Sequence, residues 1–170
     1  ADYAKAIGEK LNSLISRKGL ERPRLIIEPG RAIVGQAGTA LYKVGAVKEI
    51  PNVRKYVCVD GGMGDNIRPA LYGAKYEALV ANKALEAEKE VVTIAGKLCE
   101  SGDILVRDIN LAPISSGDII AIPVCGAYCI PMWWNYNALP KPAIIMVEKG
   151  KGRLIRRRES YQDLVNLDLL

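Results

Sequence analysis

Apolar residues near the start of the chain recur at intervals of three and four positions. Across Asp2–Lys18 this spacing places them on one face of a helix, and Gly19 follows as a typical C-terminal boundary. After Pro23, residues 24–28 are apolar on both faces, which is typical of a buried parallel strand. The pattern predicts an amphipathic helix followed by a buried strand.

The rest of the chain alternates short strand-like runs with clusters of Gly, Pro, Asn and Asp. The runs lie at residues 39–50, 55–60, 76–80, 91–95 and 119–124, and a weak helical pattern follows at 161–167. Closely spaced strands with turn signals predict a mainly β fold, an antiparallel β-sandwich or β-barrel. The pattern changes near residue 35, so we divide the chain into an α/β part at 1–35 and a β-domain at 36–170.

Composition indicates a core of Val, Ile, Leu and Ala. The 170 residues are 49% hydrophobic and include no Phe, a supply that suits strands. The formal net charge is +5, and the densest basic run is Arg156-Arg157-Arg158. No aromatic residues interleave with that run, and Glu159 follows it, so it fits a solvated strand better than a nucleic-acid site.

The cysteines indicate a reducing compartment. Four cysteines form no CxxC pair, and the chain has no His, so we expect no metal site. No apolar run approaches the roughly 18 residues of a membrane span, and no secretory segment opens the chain. We therefore expect a cytoplasmic protein. Because the chain opens at Ala1 and not at Met, we also expect that more sequence precedes it in the full protein.

Two turns carry candidate binding residues. Glu28-Pro29-Gly30-Arg31 follows the predicted strand, and its free amides would suit a phosphate, although Pro-Gly turns are more often structural. The loop Gly61-Gly62-Met63-Gly64 leads towards Arg68 and Tyr72, which stand four apart and share one face of a helical turn. A guanidinium fork beside a phenol suits a carboxylate, and a surface Arg beside a half-buried Tyr is the structural alternative.

A thiol and a carboxylate stand side by side in Cys99-Glu100-Ser101-Gly102-Asp103. This motif lies on a turn between strand-like runs, whereas Cys58 lies inside a strand and is expected in the core. A thiol is mostly protonated at neutral pH and can deliver a proton. Cys99 is therefore a candidate proton donor.

A further motif, Gly126-Ala127-Tyr128, follows an apolar run. Gly126 would let a ligand or a backbone segment come close to Tyr128. The flanking residues Cys125 and Cys129 lack structural zinc spacing, so we expect both to be packing residues.

In order and spacing, these segments resemble the C-terminal region of the diaminopimelate decarboxylase family. These pyridoxal 5'-phosphate (PLP) enzymes of fold-type III are related to the alanine racemase and eukaryotic ornithine decarboxylase families. The resemblance covers nearly the whole chain. It rests on Glu28-Pro29-Gly30-Arg31, Gly62-Met63, Arg68-Pro69-Ala70-Leu71-Tyr72-Gly73, Cys99-Glu100-Ser101-Gly102-Asp103, Gly126-Ala127-Tyr128, Asn135-Tyr136-Asn137 and Leu154-Ile155-Arg156-Arg157-Arg158-Glu159.

The resemblance implies that the intact protein decarboxylates meso-2,6-diaminopimelate to L-lysine and CO2 in lysine biosynthesis, as a homodimer with active sites at the interface. Residues 1–35 would be the remnant of a PLP-binding (β/α)8 barrel, with 24–28 as its final strand. By the same resemblance, Cys99 would be catalytic and return a proton from the partner subunit. The implied cofactor-binding residues are Glu28, Pro29, Gly30, Arg31 and Tyr128. The implied substrate-binding residues are Arg31, Arg68, Tyr72, Glu100 and Tyr128.

The chain also departs from the family. The family's Schiff-base lysine and its cofactor-stacking histidine belong to earlier barrel strands, so the chain alone is expected to be inactive. Trp133 and Trp134 stand where small residues are common in the family. Two alternatives stay open: a related PLP decarboxylase acting on a D-amino acid or a carrier-bound amino acid, and an inactive isolated dimerisation β-domain.

Overall fold

A computed structural model describes residues 2–169, and strands dominate it, as predicted. No helix among these residues has the length and apolar character needed to cross a membrane. The expectation about Ala1 concerns a position outside the described residues. The helices are α1 (Asp2–Lys18), α2 (Arg31–Val34), α3 (Arg68–Tyr72) and α4 (Tyr161–Leu164). The strands are β1 (Ala40–Ile50), β2 (Arg54–Val59), β3 (Leu79–Val80), β4 (Glu90–Ala95), β5 (Ile104–Leu111), β6 (Ile119–Ile122), β7 (Ile144–Glu148) and β8 (Lys151–Arg156).

Six strands form one sheet in the order β3-β6-β1-β2-β4-β5, and β7 and β8 form a separate hairpin. Strand β1 pairs with β6 through residues 40–43 and with β2 through residues 44–50, with an irregularity between Val44 and Ala46. A long strand that changes partner along its length bends the sheet, as in a barrel or sandwich. All pairs are antiparallel except β2 with β4.

The core lies inside the six-stranded sheet and is aliphatic, as the composition indicates. Its largest fully buried side chains include Val57, Val92, Ile94, Leu105, Ile120 and Ile122. Cys125 and Cys129 are buried, which confirms them as packing residues. The prediction that Cys58 lies in the core is wrong, because this residue is only half-buried. Alternation along β2 turns Val57 and Val59 into the core and Cys58 to the other face.

Helix α1 is confirmed over the predicted residues. It ends at Gly19, whose φ of 59° is left-handed, and the Leu20 N–H donates to the Ile15 carbonyl at 3.2 Å. None of its residues is buried. The apolar face of α1 therefore lacks a covering layer among the described residues.

Two strand predictions are wrong. Residues 24–28 form no strand and are exposed, with Ile26 72% accessible. A parallel strand needs hydrogen-bonding neighbours, and the described residues place no strand beside this segment. The run predicted at 76–80 shortens to the two residues of β3, which pair only with β6 at the sheet edge.

Candidate active site

Four predicted binding residues meet in one place, although they come from three separate segments. The guanidinium carbon of Arg68 lies 5.3 Å from the centre of the Tyr72 ring and 5.6 Å from that of Tyr128. The guanidinium carbon of Arg31 lies 5.5 Å from the centre of the Tyr128 ring. These are cation–π distances. Tyr128 thus contacts both arginines, and we call these four residues the arginine–tyrosine cluster.

Helix α3 presents Arg68 and Tyr72 together, as their spacing predicts. The Leu71 N–H donates to the Ile67 carbonyl at 2.9 Å, so the turn begins one residue before Arg68. The buried Asn66 side chain accepts the Arg68 N–H at 3.3 Å, and Gly73 ends the helix with a φ of 61°. The short helix thereby fixes the direction of the Arg68 side chain.

Glycine is required where the segment before α2 approaches Tyr128. Gly30 has a φ of 48°, and a Cβ added there would lie 2.6 Å from the Tyr128 hydroxyl oxygen. On the other side of Tyr128, Gly126 packs directly against the Val34 carbonyl, and its N–H donates to the Gly35 carbonyl at 3.0 Å. The expected close approach at Gly126 is confirmed, and the partner is backbone.

The arginine–tyrosine cluster has positive charge without a counterion. Within residues 2–169, neither Arg31 nor Arg68 forms an ion pair, and the buried Nε of Arg68 has no hydrogen-bond partner. A buried donor without an acceptor is costly unless a ligand supplies one. The close fit at Gly30 and the unused Arg68 donor suit a small anion such as a phosphate or a carboxylate.

Cys129 lies close enough to this cluster to respond to its charge. The neighbouring Cys125 thiol, opposed by burial of Cys129 and assisted by the Tyr76 hydroxyl and the charges of Arg68 and Arg31, lowers the pKa of Cys129 to about 7. The Tyr76 hydroxyl lies 3.9 Å from the Cys129 sulfur. Residues 2–169 contain no group of three or more side chains arranged to hold a metal ion.

The structure does not bring Cys99 and Glu100 to the arginine–tyrosine cluster. Both residues are exposed on the turn before β5. The Glu100 carboxylate accepts hydrogen bonds from the Ser101 hydroxyl at 3.4 Å and the Gly102 N–H at 3.3 Å. No hydrogen bond or ion pair described for residues 2–169 joins this turn to Arg31, Arg68 or Tyr128.

The remaining predicted residues lie on the surface or in supporting positions. Glu28 and Pro29 are exposed, and the Pro29 carbonyl accepts the Ala32 N–H at 3.1 Å, which closes the turn before α2. The Trp134 indole donates to the Met63 carbonyl at 3.3 Å and stacks on Tyr136 with 5.0 Å between ring centres. Trp134 thus supports the loop at residues 61–64.

Sequence reasoning gave no role to two residues that the structure connects to the site. Tyr76 was counted only as part of a strand, yet its hydroxyl contacts Cys129. Asp103 was noted only as the last residue of its motif, yet it is one of the four buried polar side chains among residues 2–169. One feature of the sequence could have identified Asp103. It immediately precedes an apolar run, and a carboxylate beside a buried strand needs hydrogen-bond donors.

Comparison with known proteins assigns the fold and the family. Residues 14–126 match the family described as "Pyridoxal-dependent decarboxylase, C-terminal sheet domain". The diaminopimelate decarboxylase of Bacillus subtilis is 53% identical over 168 residues, which cover 99% of this chain and 38% of that protein. The enzyme of the same name from Staphylococcus aureus is 49% identical, and the match covers 95% of this chain and 38% of that protein.

A solved structure agrees with these relatives. The diaminopimelate decarboxylase of M. jannaschii in complex with L-lysine superposes with a TM-score of 0.84 at 44% identity, covering 94% of this chain and 36% of that one. The chain thus spans less than two fifths of the length of the relatives it matches. Residues 14–126 correspond to the C-terminal sheet domain, and the chain belongs to the family of pyridoxal-dependent decarboxylases.

Proposed function

We propose that the protein carrying this chain is a diaminopimelate decarboxylase that uses PLP and releases L-lysine and CO2. The observation that carries the proposal is the meeting of Arg31 and Arg68 at Tyr128 without an acidic partner in residues 2–169. Two fixed cations suit a phosphate and a carboxylate bound side by side. The names of relatives 53% and 49% identical favour the same reaction.

Residues 1–35 form the last part of a PLP-binding (β/α)8 barrel in this proposal, and residues 36–170 form the β-domain. The exposure of residues 24–28 and the uncovered apolar face of α1 support the division. Both segments have the apolar pattern of buried elements and no buried residues. In an intact barrel, neighbouring strands would supply the missing hydrogen bonds to residues 24–28. The proposed location is the cytoplasm, where the four free thiols would stay reduced.

The PLP phosphate would be held by the backbone of Glu28, Pro29, Gly30 and Arg31, with Tyr128 beside the cofactor. The turn at Gly30 and its tight contact with the Tyr128 hydroxyl support this assignment. When bound, PLP supplies the electron sink that makes loss of the carboxylate feasible. The contribution of this chain is to hold the cofactor and to orient the substrate.

The substrate's distal carboxylate would be bound by Arg31, Arg68 and Tyr72, and its distal ammonium group by Glu100. The buried Nε of Arg68, which has no hydrogen-bond partner within residues 2–169, supports the first assignment, because a carboxylate would supply the missing acceptor. An analogue without that carboxylate would leave the arginine donors unpaired. Selectivity for diaminopimelate over simpler amino acids follows from that penalty.

Cys99 would return a proton to the substrate's α-carbon, working together with Glu100 from the partner subunit of a homodimer. Their separation from the arginine–tyrosine cluster supports this arrangement, because a second copy could bring the exposed turn to the cluster. An exposed thiol next to a carboxylate has little packing role of its own. Each site would then need residues from both subunits.

The test is a substrate panel on the full-length protein loaded with PLP. We expect CO2 and L-lysine from meso-diaminopimelate, and much slower turnover of D-lysine and D-ornithine. Preference for a D-amino acid without a distal carboxylate would favour the related-decarboxylase alternative. Failure to turn over any of these compounds, with PLP bound, would contradict the proposed function.

Replacing Gly30 with alanine should weaken PLP binding about tenfold. The new Cβ would meet the Tyr128 hydroxyl at 2.6 Å, and the left-handed φ of 48° adds backbone strain. Tyr128 and the backbone turn would both have to shift. PLP titration of the full-length variant, followed by absorbance, measures the change.

Gly19→Ala is the matched control for this variant. Gly19 has a similar φ of 59°, but a Cβ there would meet nothing within 4 Å. It therefore carries the backbone strain without the contact. Equal PLP affinity in the two variants would show that the contact between Gly30 and Tyr128 has no part in cofactor binding.

A further inference from the structure

We infer that Asp103 is a positioning residue that holds the Cys99–Glu100 turn in register with the loop leading to Arg68. The inference rests on the proposed function, in which that turn delivers the proton and Arg68 binds the substrate. Asp103 is only 3% exposed. It touches neither substrate nor cofactor in this scheme and acts through the backbone of two loops.

The Asp103 carboxylate joins the two loops directly. One oxygen accepts the Met63 N–H at 2.6 Å, and the other accepts the Leu98 N–H at 2.8 Å. Met63 belongs to the loop that precedes Arg68, and Leu98 immediately precedes Cys99. In the proposed dimer, a single buried side chain therefore links the turn that serves the partner's site to the loop that leads to Arg68 in this chain's own site.

Two glycines make room for this carboxylate. A Cβ on Gly62 would lie 2.5 Å from an Asp103 carboxylate oxygen, and a Cβ on Gly96 would collide with the same group. Neither glycine has the positive φ that would otherwise explain its presence. Close approach of backbone to carboxylate is thus the physical requirement at both positions.

Backbone hydrogen bonds complete the frame around the turn. The Asp103 N–H donates to the Glu100 carbonyl at 3.1 Å, and the Gly96 N–H donates to the Asp103 carbonyl at 2.9 Å. The Lys97 N–H donates to the Gly61 carbonyl at 3.0 Å, a second link between the two loops. These hydrogen bonds fix the two ends of the turn that carries Cys99 and Glu100.

The carboxylate depends on amide donors, since Asp103 forms no ion pair within residues 2–169. Burial raises the pKa of Asp103, while the Leu98 and Met63 amides oppose that rise. Both carboxylate oxygens of Asp103 must therefore accept a hydrogen bond from a backbone N–H group. An asparagine would keep the shape but turn an NH2 donor towards one of the two N–H groups.

The test is Asp103→Asn in the full-length, PLP-loaded protein, with rates normalised to bound PLP. We expect kcat for meso-diaminopimelate to fall about tenfold because the proton donor is displaced, and KM to rise only a few-fold because Glu100 moves with the turn while the arginines remain. Amide hydrogen exchange at Met63 or Leu98 should become about tenfold faster. Gly62→Ala, which pushes on the same carboxylate but keeps its charge, should reproduce both effects.

Asp118→Asn is the matched control. Asp118 is also a buried aspartate, but it accepts from Lys83, Asn82 and the Ser115 N–H, away from both loops. The Asp118→Asn variant should have lower stability and an unchanged normalised kcat.

Wild-type kcat in both Asp103→Asn and Gly62→Ala, or an equal kcat loss in Asp118→Asn, would overturn the inference. An inactive wild-type protein would instead refute the proposed function, and unchanged hydrogen exchange would still refute the role of Asp103.

Discussion

Replacing Cys99 with alanine in the full-length protein is expected to lower kcat by about 100- to 10,000-fold, the usual range for a lost general acid. KM for meso-diaminopimelate should stay within a few-fold of the wild-type value. Cys99 is exposed on its turn, and no hydrogen bond described for residues 2–169 joins it to Arg31, Arg68 or Tyr128, so we do not place its thiol among the groups that hold the substrate's carboxylate. Steady-state release of CO2 measures both parameters.

Cys58→Ala provides the comparison, because it removes the same atom from a half-buried strand position outside the site. It should leave kcat unchanged and cost only stability. Cys99→Ser should fall between wild type and Cys99→Ala, since a hydroxyl can occupy the same place but is a much weaker acid than a thiol. Wild-type turnover in Cys99→Ala would remove Cys99 from the proton-return role.

The spacing of residues along the sequence correctly predicts those elements whose formation depends on interactions between neighbouring residues. The spacing of apolar residues was sufficient for α1, and the four-residue interval between Arg68 and Tyr72 was sufficient for the face that they share. Residues 24–28 show where such reasoning stops. Their apolar pattern specifies burial, but a parallel strand also needs neighbours, and none lies beside them in residues 2–169.

Long-range contacts could not be read from the sequence. The approach of Gly30 to Tyr128 joins residues 98 positions apart, so it depends on the tertiary fold and not on local sequence pattern. The family resemblance assigned these residues to one site without giving the contact between them. The role of Asp103 was missed for a related reason, because its donors Met63 and Leu98 are backbone amides that carry no side-chain signature.

Replacing Arg68 with methionine is expected to raise KM for meso-diaminopimelate about 100-fold, with a smaller change in kcat. Methionine keeps much of the apolar stem but removes the guanidinium group, so the distal carboxylate loses a charge-assisted partner worth about 2–3 kcal/mol. Arg68→Lys should recover only part of the loss, since an ammonium keeps the charge without the planar fork. Initial rates across a range of substrate concentrations give the values.

Arg156→Met is the control, because Arg156 also packs on an aromatic ring, 5.5 Å from the centre of Trp133, but lies outside the arginine–tyrosine cluster.

A comparison of two substrates tests the role of Arg68 more sharply than KM alone. If Arg68 binds the distal carboxylate, Arg68→Met should reduce kcat/KM for meso-diaminopimelate far more than for D-lysine, which has no such group. An equal loss for both substrates would mean that Arg68 supports the fold of the site through Tyr72 and Tyr128. Its buried Nε, which lacks a hydrogen-bond partner in the part of the chain that the structure describes, would then need another explanation.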